Sequence, residues 1–267
     1  MTIIESIQTR RSIRTYTGEP LSREHQTQIK QYISELQTQW NCRVRIELIN
    51  IHADEEPIKL GTYGWIKSAN NYLAMIYEEA PFAETAAAYL FEQVILFCTS
   101  LGLGTCWLGG SFNRSDFKKQ IPLKSNEKIR IVSPVGYPTG TKLRFLEKHI
   151  VNADKNHATR KPFGAIFFDS DFARPLTEIQ AGIFAQPLEM VRLAPSASNK
   201  QEWRIVLNDN ILHFYKIPYL NFESVDIGIA LCHFEQTCKE LNINGKFEFL
   251  ENYPRSDKAK YVISWIR

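Results

Sequence analysis

The seventeen residues from Thr85 to Leu101 contain no glycine and no proline and are apolar around most of a helical circumference. A helix that is hydrophobic on nearly all sides must be buried on nearly all sides, so this run predicts a long helix buried on most sides. A second long, apolar-rich helix is predicted from Asp226 to Leu241. The two can be laid over each other with Cys98 against Cys238 and Leu101 against Leu241.

The flanking segments repeat as well. The first half reads as a short helix Thr2 to Gln8, then a helix Leu21 to Gln39 with Ser22 as cap and Glu24 in its first turn. A half-buried strand Arg43 to Ile49 follows, then a strand Tyr72 to Tyr77, the long helix, and a strand Ile129 to Gly136. The second half reads as a helix Leu176 to Leu193 interrupted near Pro187, then strands Trp203 to Asn208 and Ile211 to Tyr215 around an Asp209-Asn210 turn. The second long helix and a closing strand Lys260 to Ile266 complete it. Unrelated α+β order would leave a similar trace, so the overlay alone leaves both duplication and coincidence open.

Composition narrows the function classes. With 267 residues, 44% hydrophobic and 23% charged, the chain has the balance of a globular protein large enough for one big domain or two intimate ones. A net charge of +3 is too small to argue for nucleic acid or a membrane surface, and no stretch approaches the ~20 apolar residues that span a bilayer. Met1-Thr-Ile-Ile-Glu-Ser-Ile has no basic n-region and no cleavage site, so no signal peptide is expected. Five cysteines, with no CxxC pair, point to reduced thiols and a cytoplasmic location. The six histidines (25, 52, 149, 157, 213 and 233) lack metal-ligand spacing, so no metal is expected. There is no Walker loop and no Gly-x-Gly-x-x-Gly opening a βαβ unit, so a nicotinamide cofactor would not sit on a Rossmann domain.

Three segments carry possible chemistry. In Thr9-Arg-Arg-Ser-Ile-Arg-Thr-Tyr16, Arg10, Arg11 and Arg14 bracket Ser12. Guanidinium forks and a hydroxyl suit phosphate oxygens; the alternative is a solvated basic loop, or ion pairs to Glu5 and Glu19. Gly102-Leu-Gly-Thr-Cys-Trp-Leu-Gly-Gly110 follows the long helix, and its glycines would let backbone approach a flat ligand. A helix cap at Gly102 accounts for the first glycine without any ligand, and Cys106, in apolar company, reads as packing. Ala194-Pro-Ser-Ala-Ser-Asn199 is a polar loop leaving a helix. Taken alone it is an ordinary turn, made more specific by Asn199, Gln201 and Trp203 at fixed spacing.

Together these segments resemble the flavin-binding motifs of the nitroreductase family, as does Val132-Ser-Pro-Val-Gly-Tyr-Pro138 followed by Arg160-Lys-Pro162. In ordinary members the Ala-Pro-Ser segment follows the arginine segment within a few dozen residues; here it lies after the glycine segment. The first half lacks its own Ala-Pro-Ser between Leu36 and Arg45. The second half has Phe163-Gly-Ala-Ile-Phe and Asn242-Ile-Asn-Gly-Lys where its arginine and glycine segments should be. The losses are complementary. The chain is therefore similar to the single-chain, internally duplicated branch of the family, in which one polypeptide mimics the homodimer.

That resemblance implies an α+β nitroreductase-like fold with two tandem halves, 1–160 and 161–267, forming an intramolecular pseudo-dimer around mixed or antiparallel sheets. It implies a cytoplasmic monomer binding FMN, with NAD(P)H as donor and a nitroaromatic, quinone or similar small electrophile as acceptor in a ping-pong cycle. By the same resemblance, Arg10, Ser12 and Arg160 would hold the FMN phosphate, with Arg11 beside it. Arg14 would approach the pyrimidine edge of the ring and favour its reduced, anionic form, making it the residue expected to act in catalysis. Trp107, Leu108, Gly109 and Gly110 would line the ring, with a Gly109 or Gly110 N–H near N5. Pro195, Ser196, Ala197, Ser198 and Asn199 would approach from the other half, and Thr62 and Tyr63 would form a nearby loop. A flavin-binding sensor or carrier, and a family enzyme of other specificity such as a dehalogenase, would carry the same motifs.

Overall fold

A computed structural model describes residues 1–51, 62–139 and 159–267. His52, Gly61, His149 and His157 lie outside the described residues. The chain divides into two units, Thr9–Lys142 with Met1, and Leu143–Arg267 with Thr2–Gln8. Helix α1 (Ile3–Thr9) therefore falls, apart from Thr9, in the second unit. Thr2 and Glu5 cap it reciprocally: the Thr2 N–H donates to Glu5 Oε2 at 2.9 Å and the Glu5 N–H to Thr2 Oγ1 at 3.1 Å. The Ile3 N–H, another donor that a helix start leaves open, reaches Glu240 Oε2 at 2.6 Å.

The first unit runs α2 (Arg23–Glu35), β1 (Val44–Asn50), β2 (Asn71–Glu78), α3 (Ala83–Ser100), β3 (Gly104–Thr105), α4 (Arg114–Gln120) and β4 (Glu127–Gly136). Its sheet has the order β1-β2-β4-β3, antiparallel throughout. Ser22 caps α2 as expected, its side chain accepting from the His25 N–H, but the helix stops at Glu35, short of Gln39. Strand β2 is buried along all but its last residue. Tyr72, Ala74 and Ile76, on alternate positions, pack with Tyr16, Ile66, Phe112, Phe117 and Val132. Helix α3 is the long buried helix that its composition predicts, with most of its residues buried, and the Tyr32 ring of α2 stacks on Phe97 at 4.2 Å.

Strand β1 departs from strict alternation, burying Ile46 and Ile49, three apart. It is an edge strand, and Arg45 ties it to β4 through both oxygens of Glu127, at 2.9 and 2.8 Å. The Arg45 fork, assisted by the Lys124 N–H, holds the Glu127 carboxyl down at about 2, against a smaller opposing effect of desolvation.

The second unit continues with α5 (Phe163–Ile166), β5 (Phe167–Asp169), α6 (Glu178–Ala181), a 3-10 turn Gly182–Phe184, α7 (Ala185–Leu193), β6 (Trp203–Asn208), β7 (Ile211–Lys216), α8 (Glu223–Glu240), β8 (Lys246–Glu248) and β9 (Lys260–Ile266). The sheet order is β5-β6-β7-β9-β8, with β5 parallel to β6 and the other pairs antiparallel. The interruption expected near Pro187 falls instead at Gly182, where φ is +55°. Pro187 is the third residue of α7, in the first turn, where its missing N–H costs no intrahelical bond. The β6–β7 turn is as expected, with Asp209 and Asn210 both at positive φ, 47° and 65°, the conformation a tight hairpin requires.

Without β5, the second sheet has the strand order of the first: β6-β7-β9-β8 against β1-β2-β4-β3. Each second strand carries a register shift against its neighbour, between Met75 and Ile76 and between Phe214 and Tyr215. Helices α3 and α8 also end alike. The Leu103 N–H reaches the Cys98 carbonyl at 3.0 Å and the Ile243 N–H the Cys238 carbonyl at 2.8 Å, with left-handed Gly102 and Asn242 between. Both are Schellman caps, in the register of the sequence overlay. Among the described residues no helix is long and apolar enough to cross a membrane.

Candidate functional site

In the first unit the arginine and glycine segments lie side by side. Ser12 bridges Thr105 in parallel fashion, and the Ile13 N–H donates to the Thr105 carbonyl at 2.8 Å. Further along, the Lys67 N–H donates to the Arg14 carbonyl at 2.9 Å and the Tyr16 N–H to the Lys67 carbonyl at 3.0 Å. The stretch Ser12–Tyr16 is thus an extended strap held by backbone bonds, not a solvated loop. Tyr16 anchors it, 3% exposed in the core, with its hydroxyl donating to the Ile13 carbonyl at 2.8 Å.

The arginines differ sharply. Arg10 is 4% exposed, and its Nε and Nη1 are buried with no hydrogen-bond partner among the described residues. Burial pushes its guanidinium below the ordinary value, and the strongest influence holding it up is the carboxylate of Glu92. Arg11 is exposed and turns Nη1 back to the Arg10 carbonyl at 2.9 Å. The Arg14 side chain is half-buried and makes no ion pair with Glu19 among the described residues. A buried guanidinium with open donors is costly unless an anion satisfies it. Arg10 therefore fits a phosphate group.

The glycines of the second segment have separate causes. Gly102 (φ +76°) caps α3. Gly104 is imposed by packing: a Cβ there would stand 2.9 Å from the Ile13 side chain. Gly110 meets nothing within 4 Å, so no protein contact requires it. Leu108 belongs to the core rather than to a ligand surface, being 4% exposed with its N–H and carbonyl bonded to Val132 at 2.9 and 3.1 Å. The N–H groups of Gly109 and Gly110 make no hydrogen bond among the described residues, while the Gly109 carbonyl accepts from Arg114 Nη2 at 2.9 Å. Cys106 is buried packing, as expected, with its N–H on Ser133 Oγ at 3.0 Å.

Trp107 is fixed by a residue that motif reading missed. Its indole Nε1 donates to Glu92 Oε2 at 2.9 Å, and its ring meets Phe91 edge-on at 5.0 Å. Glu92 is fully buried in α3 and is the sole charged residue between Thr85 and Leu101. That solitary charge was the available signal, since a carboxylate is not placed in an apolar helix without compensation. Thr62, 7% exposed, starts a turn closed by the Trp65 N–H on the Thr62 carbonyl at 2.9 Å, with Tyr63 at its exposed tip.

In the second unit the Ala-Pro-Ser loop is strained and internally bonded. Ser198, Asn199 and Gln201 all have positive φ, from 50° to 56°, where side chains are rarely held without compensating contacts. The Asn199 side chain bonds to neighbouring chain, donating to the Thr159 carbonyl at 2.9 Å and accepting from Arg160 Nη1 at 2.7 Å. Arg160 Nη2 donates to the Leu193 carbonyl at 2.9 Å. Gln201 accepts from the Lys161 N–H at 2.8 Å, and its own N–H donates to Ser196 Oγ at 2.9 Å. Arg160, Asn199 and Gln201 thus staple the loop to residues 159–161. Ser198 is exposed and Pro195 half-buried. The Ala197 N–H points to Asp226, 4% exposed in the first turn of α8, whose two oxygens lie at 3.0 and 3.1 Å.

The family model described as "Putative TM nitroreductase" matches residues 2–238. A crystal structure of a "putative nitroreductase" from Thermotoga maritima superposes over 100% of this chain and 94% of its own, with a TM-score of 0.60 at 20% identity. Shorter neighbours include a nitroreductase with bound FMN from Bacteroides fragilis (16% identity, 54% of this chain and 92% of that one, TM-score 0.43). Another is a nitroreductase family protein from Clostridium novyi (16% identity, 56% and 92%, TM-score 0.43). No curated protein matches at a significant level. With the family model spanning most of the sequence and the fold shared over the full chain, this protein belongs to the nitroreductase family, in its single-chain "Putative TM nitroreductase" branch.

Proposed function

We propose that this chain is an FMN-dependent NAD(P)H oxidoreductase that reduces nitroaromatics, quinones or similar small electrophiles. The observation that carries the reading is Arg10, a buried guanidinium with Nε and Nη1 unsatisfied among the described residues, two residues before the strap held against the glycine segment. Bound FMN would supply hydride chemistry that no side chain offers. Arg10 and Ser12 would hold its phosphate, and Arg14, with no ion pair to Glu19, would place positive charge by the ring. The Gly109 and Gly110 N–H groups would offer donors that the fold leaves open, and Trp107, held by Glu92, would be a fixed wall. Arg160 and the Pro195–Asn199 loop remain proposed contacts. The bonds of Arg160 to Leu193 and Asn199 make it first a fastener of that loop.

We also propose that the two units descend from one ancestral half and that the chain acts as a monomer in the cytoplasm. The matching strand order and paired Schellman caps support the first part. Purified protein should be yellow and release one FMN per chain on heating, with colour bleached by NADPH and restored by a nitro compound. Bound flavin that NADPH does not reduce would make it a carrier or sensor. Two flavins per chain would sink the duplication with a single surviving site, and a colourless protein that takes up no added FMN would sink the cofactor assignment.

A further inference from the structure

The Pro195–Asn199 loop is held from two sides. One side is stapled to residues 159–161. The other is tied to α8, where the Ala197 N–H donates to Asp226, whose Oδ1 and Oδ2 lie at 3.0 and 3.1 Å. Within the loop the Asn199 N–H donates to the Ser196 carbonyl at 3.0 Å and the Lys200 N–H to the Ala197 carbonyl at 3.1 Å. Ser198, Asn199 and Gln201 stand in the left-handed region, which L residues keep only where contacts outweigh the steric cost. Asp226 is 4% exposed, and an amide oxygen would satisfy the Ala197 N–H without burying a charge. A buried carboxylate is the costlier acceptor, but its bond is roughly twice as strong as a neutral one. That strength is applied at the residue immediately before the left-handed run.

We propose that Asp226 is the positioning residue of this loop: its carboxylate holds the Ala197 N–H toward α8, fixes the left-handed run that follows, and so leaves Ser198 exposed for the ring contact proposed above. The inference rests on the reading of the loop as a flavin contact and adds the residue that sets its shape. Burial brings the carboxyl up to about 7 against the pull of the Ala197 N–H, so the bond changes near neutral pH from one accepted by a neutral acid to one accepted by a charged carboxylate. Two other carboxylates act on it, Glu223 of α8 and Glu202 just before β6. Glu202 is paired with Lys161 at 3.2 Å and Arg204 at 3.7 Å. Lys216 of β7 donates to Ser224 Oγ at 2.7 Å, and Glu189 and Arg192 of α7 pair with each other at 2.6 Å. His233, further along α8, faces the Met190 carbonyl of α7 at 2.9 Å. Asparagine at 226 keeps an oxygen for Ala197 without the charge, whereas leucine keeps the size and removes the acceptor.

The test uses the full chain as wild type, Asp226→Asn and Asp226→Leu. Hydrogen exchange of the Ala197, Asn199, Lys200 and Gln201 amides is followed by NMR without flavin, and FMN binding is measured by calorimetry. Asp226→Leu should exchange these amides on the order of tenfold faster and bind FMN on the order of tenfold more weakly, with exchange in the β6–β7 hairpin unchanged. Asp226→Asn, compared at about pH 6 where the wild-type carboxyl is mostly protonated, should restore both. Loop exchange equal in wild type and Asp226→Leu overturns the inference. A loosened loop with FMN affinity unchanged also overturns it, and leaves the cofactor reading intact. Wild type that takes up no FMN sinks the cofactor reading, and the exchange rates then decide by themselves whether Asp226 holds the loop. Should Asp226→Leu fail to fold, the Ala197 amide resonance is followed from about pH 5 to about pH 8. It should move downfield in wild type as the carboxyl ionises and stay in place in Asp226→Asn. A resonance that stays in place in wild type, or moves equally in both, overturns the inference.

Discussion

Replacing Asp226 with Asn should flatten the pH dependence of stability between about pH 4 and pH 7. Asp226 is buried in the first turn of α8. Burial raises its carboxyl from 3.8 to about 7, against the Ala197 N–H, which pulls it down, and with smaller upward effects of Glu223 and Glu202. A raised folded-state value means that the native chain keeps a proton which the unfolded chain has already released. The contribution is therefore fully present below about pH 4, is lost as pH rises through about 7, and is level above that. A shift of about 3 units corresponds to about 4 kcal/mol, a sizeable fraction of a typical folding free energy. Asn cannot ionise, and its Oδ1 can still accept from Ala197. Urea midpoints of both proteins from pH 4 to pH 8, with unchanged slope m, would measure the effect through Trp203 and Trp265, both buried in the second unit. The variant should gain on wild type by up to about 4 kcal/mol across the window, with the difference constant above it. A difference that does not change with pH, or that runs the other way, would refute the reasoning.

Other substitutions test the first unit. Gly104→Ala puts a Cβ 2.9 Å from the Ile13 side chain and should cost about 1–3 kcal/mol as an overpacked contact, whereas Gly110→Ala, with open space around it, should melt within a degree or two of wild type; equal melting of the two would refute the packing argument. Arg10→Ala should weaken FMN binding roughly ten- to a hundred-fold, since a charged hydrogen bond is worth about 1.5–3 kcal/mol, and an unchanged dissociation constant would return the strap to a purely structural role. Arg14→Gln should lower the two-electron potential of the bound flavin by tens of millivolts, if about 1–3 kcal/mol of charge stabilisation is lost, while the flavin stays bound; a potentiometric midpoint equal to wild type rejects that role.

Much of the architecture was legible because it is set by neighbours in sequence. The absence of glycine and proline from Thr85 to Leu101 predicts α3, Ser22 marks the start of α2, and Asp209-Asn210 marks the β6–β7 turn. Helix propensity, caps and tight turns act within a few residues. The match of Cys98 with Cys238 was legible for the same reason, because both helices end in the same local cap. The short strands β3, β5 and β8 were not, since two or three residues carry no periodicity and exist only through their partners.

The site divides along the same line. The motifs single out Arg10, Ser12, Gly109 and Gly110 as expected ligand contacts, but only the fold separates Arg10, buried with open donors among the described residues, from Arg11, exposed and turned back on the backbone. Only the fold assigned Gly104 to Ile13, Leu108 to the core, and Asn199 and Arg160 to stapling a strained loop. The sequence showed Glu92 as a lone charge in an apolar helix, while its link to Trp107, fifteen residues on, and to Arg10, eighty-two residues back, arose with packing. What compensates a buried charge is decided by which distant groups the tertiary structure brings alongside it, and in low dielectric that compensation outweighs any local preference.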